Sequence, residues 1–315
     1  MADLWEVAGL KVARGEKARA MVRLPGVERE MPLVLVHGVD DGPQTLITGG
    51  IHGCEYTSIH AAIQLARTIE PPGLRGRLAV IPVVNVEAYA ARSIYVHPGD
   101  KRNLNRVFPG REDGSPSERL AFQLTKNFLA HCDYLIDLHG GDMNESLVPF
   151  ILYHPTADRD LNGRTARFAR AFGIRYLVAD RTPGSAYETV ATAGKTAVLA
   201  EAGQQGILDT AMARLLVDGT LNALRSVGTI PGGVVRQEES MELREMVWTR
   251  SAHFGTWYPR VGVGEQVVPG QEMGELRDLL GNHLQTVCTE IAGPVLFCVT
   301  SLAINPGDPL FAVGS

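Results

Sequence analysis

Short apolar runs that end in glycine recur along the first two thirds of the chain. "PLVLVHG" (32–38) and "TLITGG" (45–50) read as strands. So do "RLAVIPVVN" (77–85), "DYLIDLHGG" (133–141), "FILYH" (150–154), "YLVAD" (176–180) and "TAVLAEAG" (196–203). Between them apolar residues return at helical spacing. "SIHAAIQLARTI" (58–69), stopped by "PPG", is the first predicted helix. "SERLAFQLTKNFLAHC" (117–132), with Ser117 as its cap, "GRTARFARAF" (163–172), "AYETVATA" (186–193) and "DTAMARLLVDGTLNALRSV" (209–227) follow. The mixed first 30 residues hold one hint of an opening strand, "ARAMVRL". Alternation at this spacing predicts an α/β domain with a mixed or largely parallel sheet, whose ligands sit beyond the carboxyl ends of the strands.

Near residue 228 the pattern changes. "GTIPGGVV" and the charged stretch "RQEESMELRE" lead into 247–315, where short apolar pieces are split by "GVGEQVVPGQ", "GN", "AGP" and "NPGDP". No helical spacing survives there, which predicts a small all-β domain. The expected division is therefore 1–228, with an N-terminal β segment at about 1–30, and 229–315.

Composition narrows the function classes. The 315 residues are 45% apolar and 21% charged, as in an ordinary globular protein. A formal charge of −5 without any basic tract argues against nucleic-acid binding. No uncharged apolar run is long enough to span a bilayer, and "MADLWEVAGLKVARGEK" lacks the apolar core of a signal peptide. Cys54, Cys132, Cys288 and Cys298 form no C-x-x-C pair. These features predict a cytoplasmic protein with reduced thiols. Cys54 reads as a packing residue, since nothing near it in the chain supplies a base.

The polar residues collect where the strands end. His52 and Glu55, in "GGIHGCEYTS", stand three apart where a strand gives way to a helix; on the first helical turns they share a face and can both hold zinc. Alone, the pair more readily describes a glutamate favoured by the helix dipole beside a packed histidine than a metal site. His139 ends the strand "LIDLHGG", with Asp137 two residues back on the same face, where it could orient a ligand histidine. Two histidines and a glutamate match a catalytic zinc set with one open position; a structural site would want four ligands. Glu201, in "AVLAEAGQQG", lies at the end of an apolar strand, where a carboxylate is costly unless it is used or satisfied. Asn105 and Arg106, in the loop "NLNRVFPG", could grip a carboxylate or simply tie the loop down. Arg92 is a further cation before the same loop.

Together these pieces resemble the succinylglutamate desuccinylase/aspartoacylase family within the zinc carboxypeptidase superfamily. "GGIHGCEYTS" and "DLHGG" look like its metal motifs, "NLNRVFPG" like its substrate-carboxylate motif and "LAEAGQQG" like its catalytic-glutamate motif, in the same order over residues 35–225. The resemblance implies a zinc-carboxypeptidase-like mixed sheet flanked by helices. It implies one Zn2+ per chain on His52, Glu55 and His139. Glu201 would be general base and acid, Asn105 and Arg106 would hold the substrate carboxylate, and Arg92 would polarise the scissile carbonyl. Some members add a tyrosine beside the substrate, for which Tyr187 and Tyr258 are available. The C-terminal part resembles the lipoyl/biotinyl-like barrel-sandwich fold. A carrier needs a lysine at its hairpin tip, yet the apparent tip "RDLLGNH" has none and no lysine follows Lys195. A lid, a cleft wall or an oligomer contact is expected instead.

The expected activity is hydrolysis of the amide in a small, acidic N-acyl amino acid by metal-activated water. One rival is a zinc carboxypeptidase for short peptides. Another is a non-catalytic binding protein for an acidic metabolite, which would have no need of a proton-shuttling Glu201. A dimer or tetramer is also expected.

Overall fold

The computed structural model describes residues 3–235 and 239–315; the first three residues of the charged stretch expected as a linker, 236–238, lie outside the described residues. The chain opens with a hairpin of β1 (Leu4–Val7) and β2 (Leu10–Ala13). Then come β3 (Lys17–Val22), β4 (Met31–His37), β5 (Asp40–Gly49), α1 (Tyr56–Thr68), β6 (Arg75–Ile81), α2 (Val86–Ala91) and α3 (Pro116–Leu124). β7 (Tyr134–His139), β8 (Glu145–Leu147), β9 (Phe150–Tyr153), α4 (Arg159–Phe172), β10 (Tyr176–Ala179), α5 (Ala186–Thr192), β11 (Thr196–Glu201), α6 (Thr210–Ser226) and β12 (Met241–Leu243) complete this part.

Nine of these strands form one mixed sheet in the order β12-β10-β9-β11-β7-β5-β6-β4-β3. At its centre β11, β7, β5 and β6 run parallel. Such strands are covered on both faces and read as apolar runs, as Ala197–Ala200 of β11 does. Alternate residues feed two cores. Leu46, Leu135 and Leu199 pack with α3, α5 and the β1–β2 hairpin; Ile47, Ile136 and Val198 pack with α1, α4 and α6.

Caps explain where the helices begin. The Asp158 carboxylate accepts from the N–H groups of Asp160 and Leu161, which starts α4 four residues before its apolar spacing does. Ser115, not Ser117, caps α3, and Pro116 takes the first helical position. That helix widens into a π turn over Thr125–Leu129 instead of running on to Cys132.

The remaining strands are β13 (Met246–Arg250), β14 (Gly255–Pro259), β15 (Gln266–Val267), β16 (Glu272–Arg277), β17 (His283–Cys288), β18 (Gly293–Val299), β19 (Ala303–Ile304) and β20 (Pro309–Gly314). They form two sheets, β13-β20-β18-β15 and β17-β16-β14-β19, over a core that includes Trp257, Met273, Val295 and Phe311. One strand pairing binds them to the first part: β8 pairs antiparallel with β18, while β12, which follows residues 236–238, joins β10 in parallel at the edge of the nine-stranded sheet. All four cysteines are free, and no helix among the described residues is long and apolar enough to cross a membrane.

Phe172 is fully buried where α4 packs against α6. Phe172→Ala should lower unfolding stability by about 3–5 kcal/mol through the cavity it leaves. Urea unfolding measures this, and a loss below about 1 kcal/mol would show that the helix pair is not what holds this face of the sheet.

Candidate active site

Three neighbouring parallel strands end side by side. Glu201 of β11 is in register with His139 of β7, and Gly49 of β5 with Leu138. The chain leaving β5 turns at once, and His52 and Glu55 lie in this turn, before the helix. Glu55 is the residue that precedes α1. The turn is held down by Val84 N–H on the Gly49 carbonyl and Asn85 N–H on the Gly50 carbonyl. Gly53 backs onto α2 so closely that a Cβ would stand 2.2 Å from the Ala88 carbonyl carbon. The two side chains therefore converge through a tight turn rather than along one helical face.

Glu55 sits between both imidazoles. One carboxylate oxygen is 2.6 Å from His52 Nδ1, the other 3.0 Å from His139 Nδ1, and it also accepts from Gly140 N–H at 3.3 Å. The ring centroids of the histidines are 4.9 Å apart, edge to face. One potential ligand atom from each of His52, Glu55 and His139 lies within 4.8 Å of the others. Asp137 meets His139 Nε2 at 3.1 Å and is itself fixed by the Thr48 hydroxyl at 2.7 Å. Accepting a hydrogen bond from Nε2–H keeps the proton there and leaves the Nδ1 lone pair for a cation, the usual role of an outer carboxylate. His52 Nε2 stands 3.0 Å from the Asn103 side-chain oxygen.

Charge follows from this packing. Burial alone would raise the Glu55 pKa, but His139 and His52 outweigh it and hold the carboxyl at about 2. Burial would lower both imidazoles; Glu55, joined at His139 by Asp137, lifts them instead. Glu201 goes the other way. Burial, then repulsion from Glu55, raises its pKa well above the carboxylate range, and its Oε2 is buried without a hydrogen-bond partner. The segment after it is pressed onto α1: at Gly203 (φ +87°) a Cβ would stand 2.5 Å from that of Thr57.

A cavity of about 450 Å³ joins these groups. Arg106 and Asn105 line it from a short 3-10 turn, Leu104–Arg106. Asn105 Oδ1 accepts from Ala186 N–H at the start of α5, which leaves its Nδ2 donors for a ligand. Tyr187 also lines the cavity, its hydroxyl donating to Asp180. Tyr258 does not; it is exposed on β14. Arg92 is not brought to the cavity either. It ends α2 in the left-handed conformation (φ 53°) with its side chain exposed. The far wall comes from the C-terminal strands, through Met246, Trp248, Arg250, Phe297 and Asp308.

Sequence reasoning passed over Asn103, Tyr95, Glu145 and Asp308. Only Asn103 carried a signal, as part of "NLNR". The others are polar residues of loops or very short strands, and tertiary pairing alone brings them here.

Because Glu55 favours protonated imidazoles, a divalent cation must displace protons from them. Cation affinity should fall as pH drops from about 8 to 6, with net proton release. Calorimetry in two buffers of different ionisation enthalpy checks this; pH-independent affinity would remove the histidines from the ligand set.

The arrangement agrees with what the chain resembles. Residues 41–227 match the family model described as the succinylglutamate desuccinylase/aspartoacylase catalytic domain. The chain is 29% identical over 277 residues to an N-alpha-acetyl-L-2,4-diaminobutyric acid deacetylase from Halomonas elongata, covering 86% of this chain and 78% of the relative. Its fold is similar to the product-bound ectoine utilization protein EutE (DoeB) from Ruegeria pomeroyi, with TM-score 0.86, 26% identity and 96% of each chain covered. It is also similar to a succinylglutamate desuccinylase/aspartoacylase from Rhodobacter sphaeroides, with TM-score 0.85, 27% identity and 96% of each chain covered. With more than half of its length matched by that catalytic domain, and with the large mixed sheet in common, the chain belongs to the succinylglutamate desuccinylase/aspartoacylase family.

Proposed function

We propose that the chain is a zinc-dependent amidohydrolase that cleaves the amide of a small N-acyl amino acid into a carboxylate and a free amine. One observation carries the reading: Glu201, a half-buried carboxylate whose Oε2 has no hydrogen-bond partner, stands in strand register with His139 of a His–Glu–His cluster, in a cavity also lined by Arg106. The deacetylase activity in the name of the Halomonas elongata relative supports it.

The donor set fits zinc, since two imidazole nitrogens and a carboxylate leave one position open. Zinc held by His52, Glu55 and His139 would supply a Lewis acid and lower the pKa of a water. Glu201 takes the proton of the attacking water on its carboxylate and passes it to the amine nitrogen as the C–N bond breaks. Its raised proton affinity suits both halves of that transfer. Arg106 holds the substrate carboxylate with parallel hydrogen bonds, and Asn105 adds an amide donor. Asp137 keeps His139 in the tautomer that offers Nδ1. Arg92, exposed beyond the cavity lining, has no part in this reading.

In the same reading residues 1–228 are the catalytic unit, and 229–315 are a linker and a barrel-sandwich-like module, similar to lipoyl/biotinyl folds, that serves as a wall of the cleft. The unpaired cysteines, three of them buried, suit a reducing cytoplasm.

Glu201→Gln should keep its metal yet lose turnover by about 10²–10⁴-fold, read by metal analysis beside a rate assay. A near-normal rate would remove Glu201 from proton transfer. Arg106→Ala should lower kcat/KM for N-acyl amino acids by about a hundredfold, with far less effect on the matching carboxamides. Equal losses on both would end its role as the carboxylate anchor.

A further inference from the structure

Hydrolysis of an amide builds negative charge on the carbonyl oxygen, and a hydrogen-bond donor aimed at that oxygen supplies much of the rate. Arg92, exposed outside the cavity lining, is not that donor. Arg106 and Asn105 are engaged with the substrate carboxylate in the reading above. The hydroxyls of Tyr187 and Thr182 line the cavity too, but both donate to Asp180. Arg250 is exposed and donates to the Gly307 carbonyl at 2.9 Å. Tyr95 lines the same cavity as His52, Glu55, His139 and Glu201, and its hydroxyl has no such commitment.

Tyr95 is held by the segment that leaves β7. Its N–H donates at 2.7 Å to Oδ2 of Asp142, three residues after His139. Asp142 is fully buried, and its other oxygen accepts from Met143 N–H at 2.7 Å. Between them, Gly140 N–H donates to Glu55, and Gly141 N–H donates to the carbonyl of Gly203, two residues beyond Glu201. Four consecutive residues thus tie Tyr95 to the His–Glu–His cluster and to the end of β11.

The backbone is strained to make this link. Tyr95 has φ +34°, in the region that favours glycine, and Val96 N–H closes a three-residue turn onto the Ile94 carbonyl at 2.6 Å. Tight turns of this kind are rare, and their cost persists chiefly where a side chain must be aimed.

The hydroxyl is set to donate. Burial first, then the acidic groups Glu145 and Asp308, push its pKa up, so it keeps its proton. Asn144 hydrogen-bonds to it in the sense that favours the phenolate, and Asn144 Oδ1 has no partner. The amide therefore gives a hydrogen to the phenol oxygen and leaves the O–H for a ligand.

We infer, resting on the hydrolase reading above, that Tyr95 is a catalytic residue of that reaction: its hydroxyl donates a hydrogen bond to the scissile carbonyl oxygen, the role the sequence resemblance assigned to Arg92. The bond strengthens as the water oxygen joins the carbonyl carbon and the C=O electron pair moves onto oxygen. No proton leaves Tyr95; the proton of the water goes to Glu201.

The test is Tyr95→Phe, which keeps the ring and removes only the hydroxyl. The zinc-loaded protein is assayed on N-acetylalanine, N-acetylaspartate and N-acetyl-2,4-diaminobutyrate. On the fastest of them kcat should fall by about a hundredfold with KM within about threefold, the mark of an interaction made only in the transition state. The N-methylphosphonyl analogue of that substrate, a tetrahedral anion, should bind about a hundredfold less tightly to the variant. Metal content and affinity for the free amino acid product should stay the same, whereas a structural tyrosine would weaken product and analogue alike. A kcat loss below about fivefold, a loss confined to KM, or equal losses for product and analogue would overturn the inference and leave the hydrolase reading in place. If the native protein hydrolyses none of the three, the hydrolase reading fails. Calorimetry with N-methylphosphonylalanine and N-methylphosphonylaspartate then decides the subsite. Weaker binding to Tyr95→Phe would still support the donor, and equal binding, or none by the native protein, would overturn it.

Discussion

Glu55 is a nearly inaccessible carboxylate that touches two imidazoles delivered by different strands. An isolated anion in that position would be prohibitively costly, so its neighbours must carry compensating positive charge. Without a cation the imidazoles carry it as protons, which is why both are shifted upward. With a cation bound they give the protons up, and the metal supplies the charge. One geometry thus serves two charge states, and little needs to move between them. The tight turn at Gly53 and the chain of contacts Thr48–Asp137–His139 hold that geometry from opposite sides.

The sheet supplies the rest. Because β11, β7 and β5 are adjacent and parallel, their last residues emerge together, and Glu201, the proposed proton carrier, arrives in register with His139. The loop bearing Asn105 and Arg106 is pinned to the start of α5, so the proposed carboxylate anchor is positioned by a helix rather than by a free loop. Arg106 and Asn105 line the cavity from the short 3-10 turn, and residues far apart in the chain, Glu145 and Asp308 among them, line it as well.

The central part of this was legible because burial leaves a strong mark. Strands covered on both faces are mostly apolar, so β5, β7 and β11 could be seen, and the polar residues ending them stood out. The H-x-x-E spacing was legible too, although a turn, not a helical face, brings the pair together. What escaped had no local mark. The β1–β2 hairpin is a pair of four-residue strands in a mixed segment, and α2 is a six-residue helix begun by an Asn85 cap. β8 is three partly polar residues that become a strand only by pairing with the far end of the chain, and β12 becomes one only at the sheet edge. Tyr95, Glu145 and Asp308 share that dependence. Arg92 looked available because a cation before the "NLNR" loop suits the chemistry, but the backbone ending α2 leaves it exposed outside the cavity.

The pairing of β8 with β18 has a bearing on how such enzymes diverge. A crossover near residue 228 looks harmless along the chain, yet it would divide a sheet whose members come from both sides of the cut. Chimaeras that exchange the C-terminal segment should therefore carry β8 with it, or inherit mismatched edges beside the reaction centre.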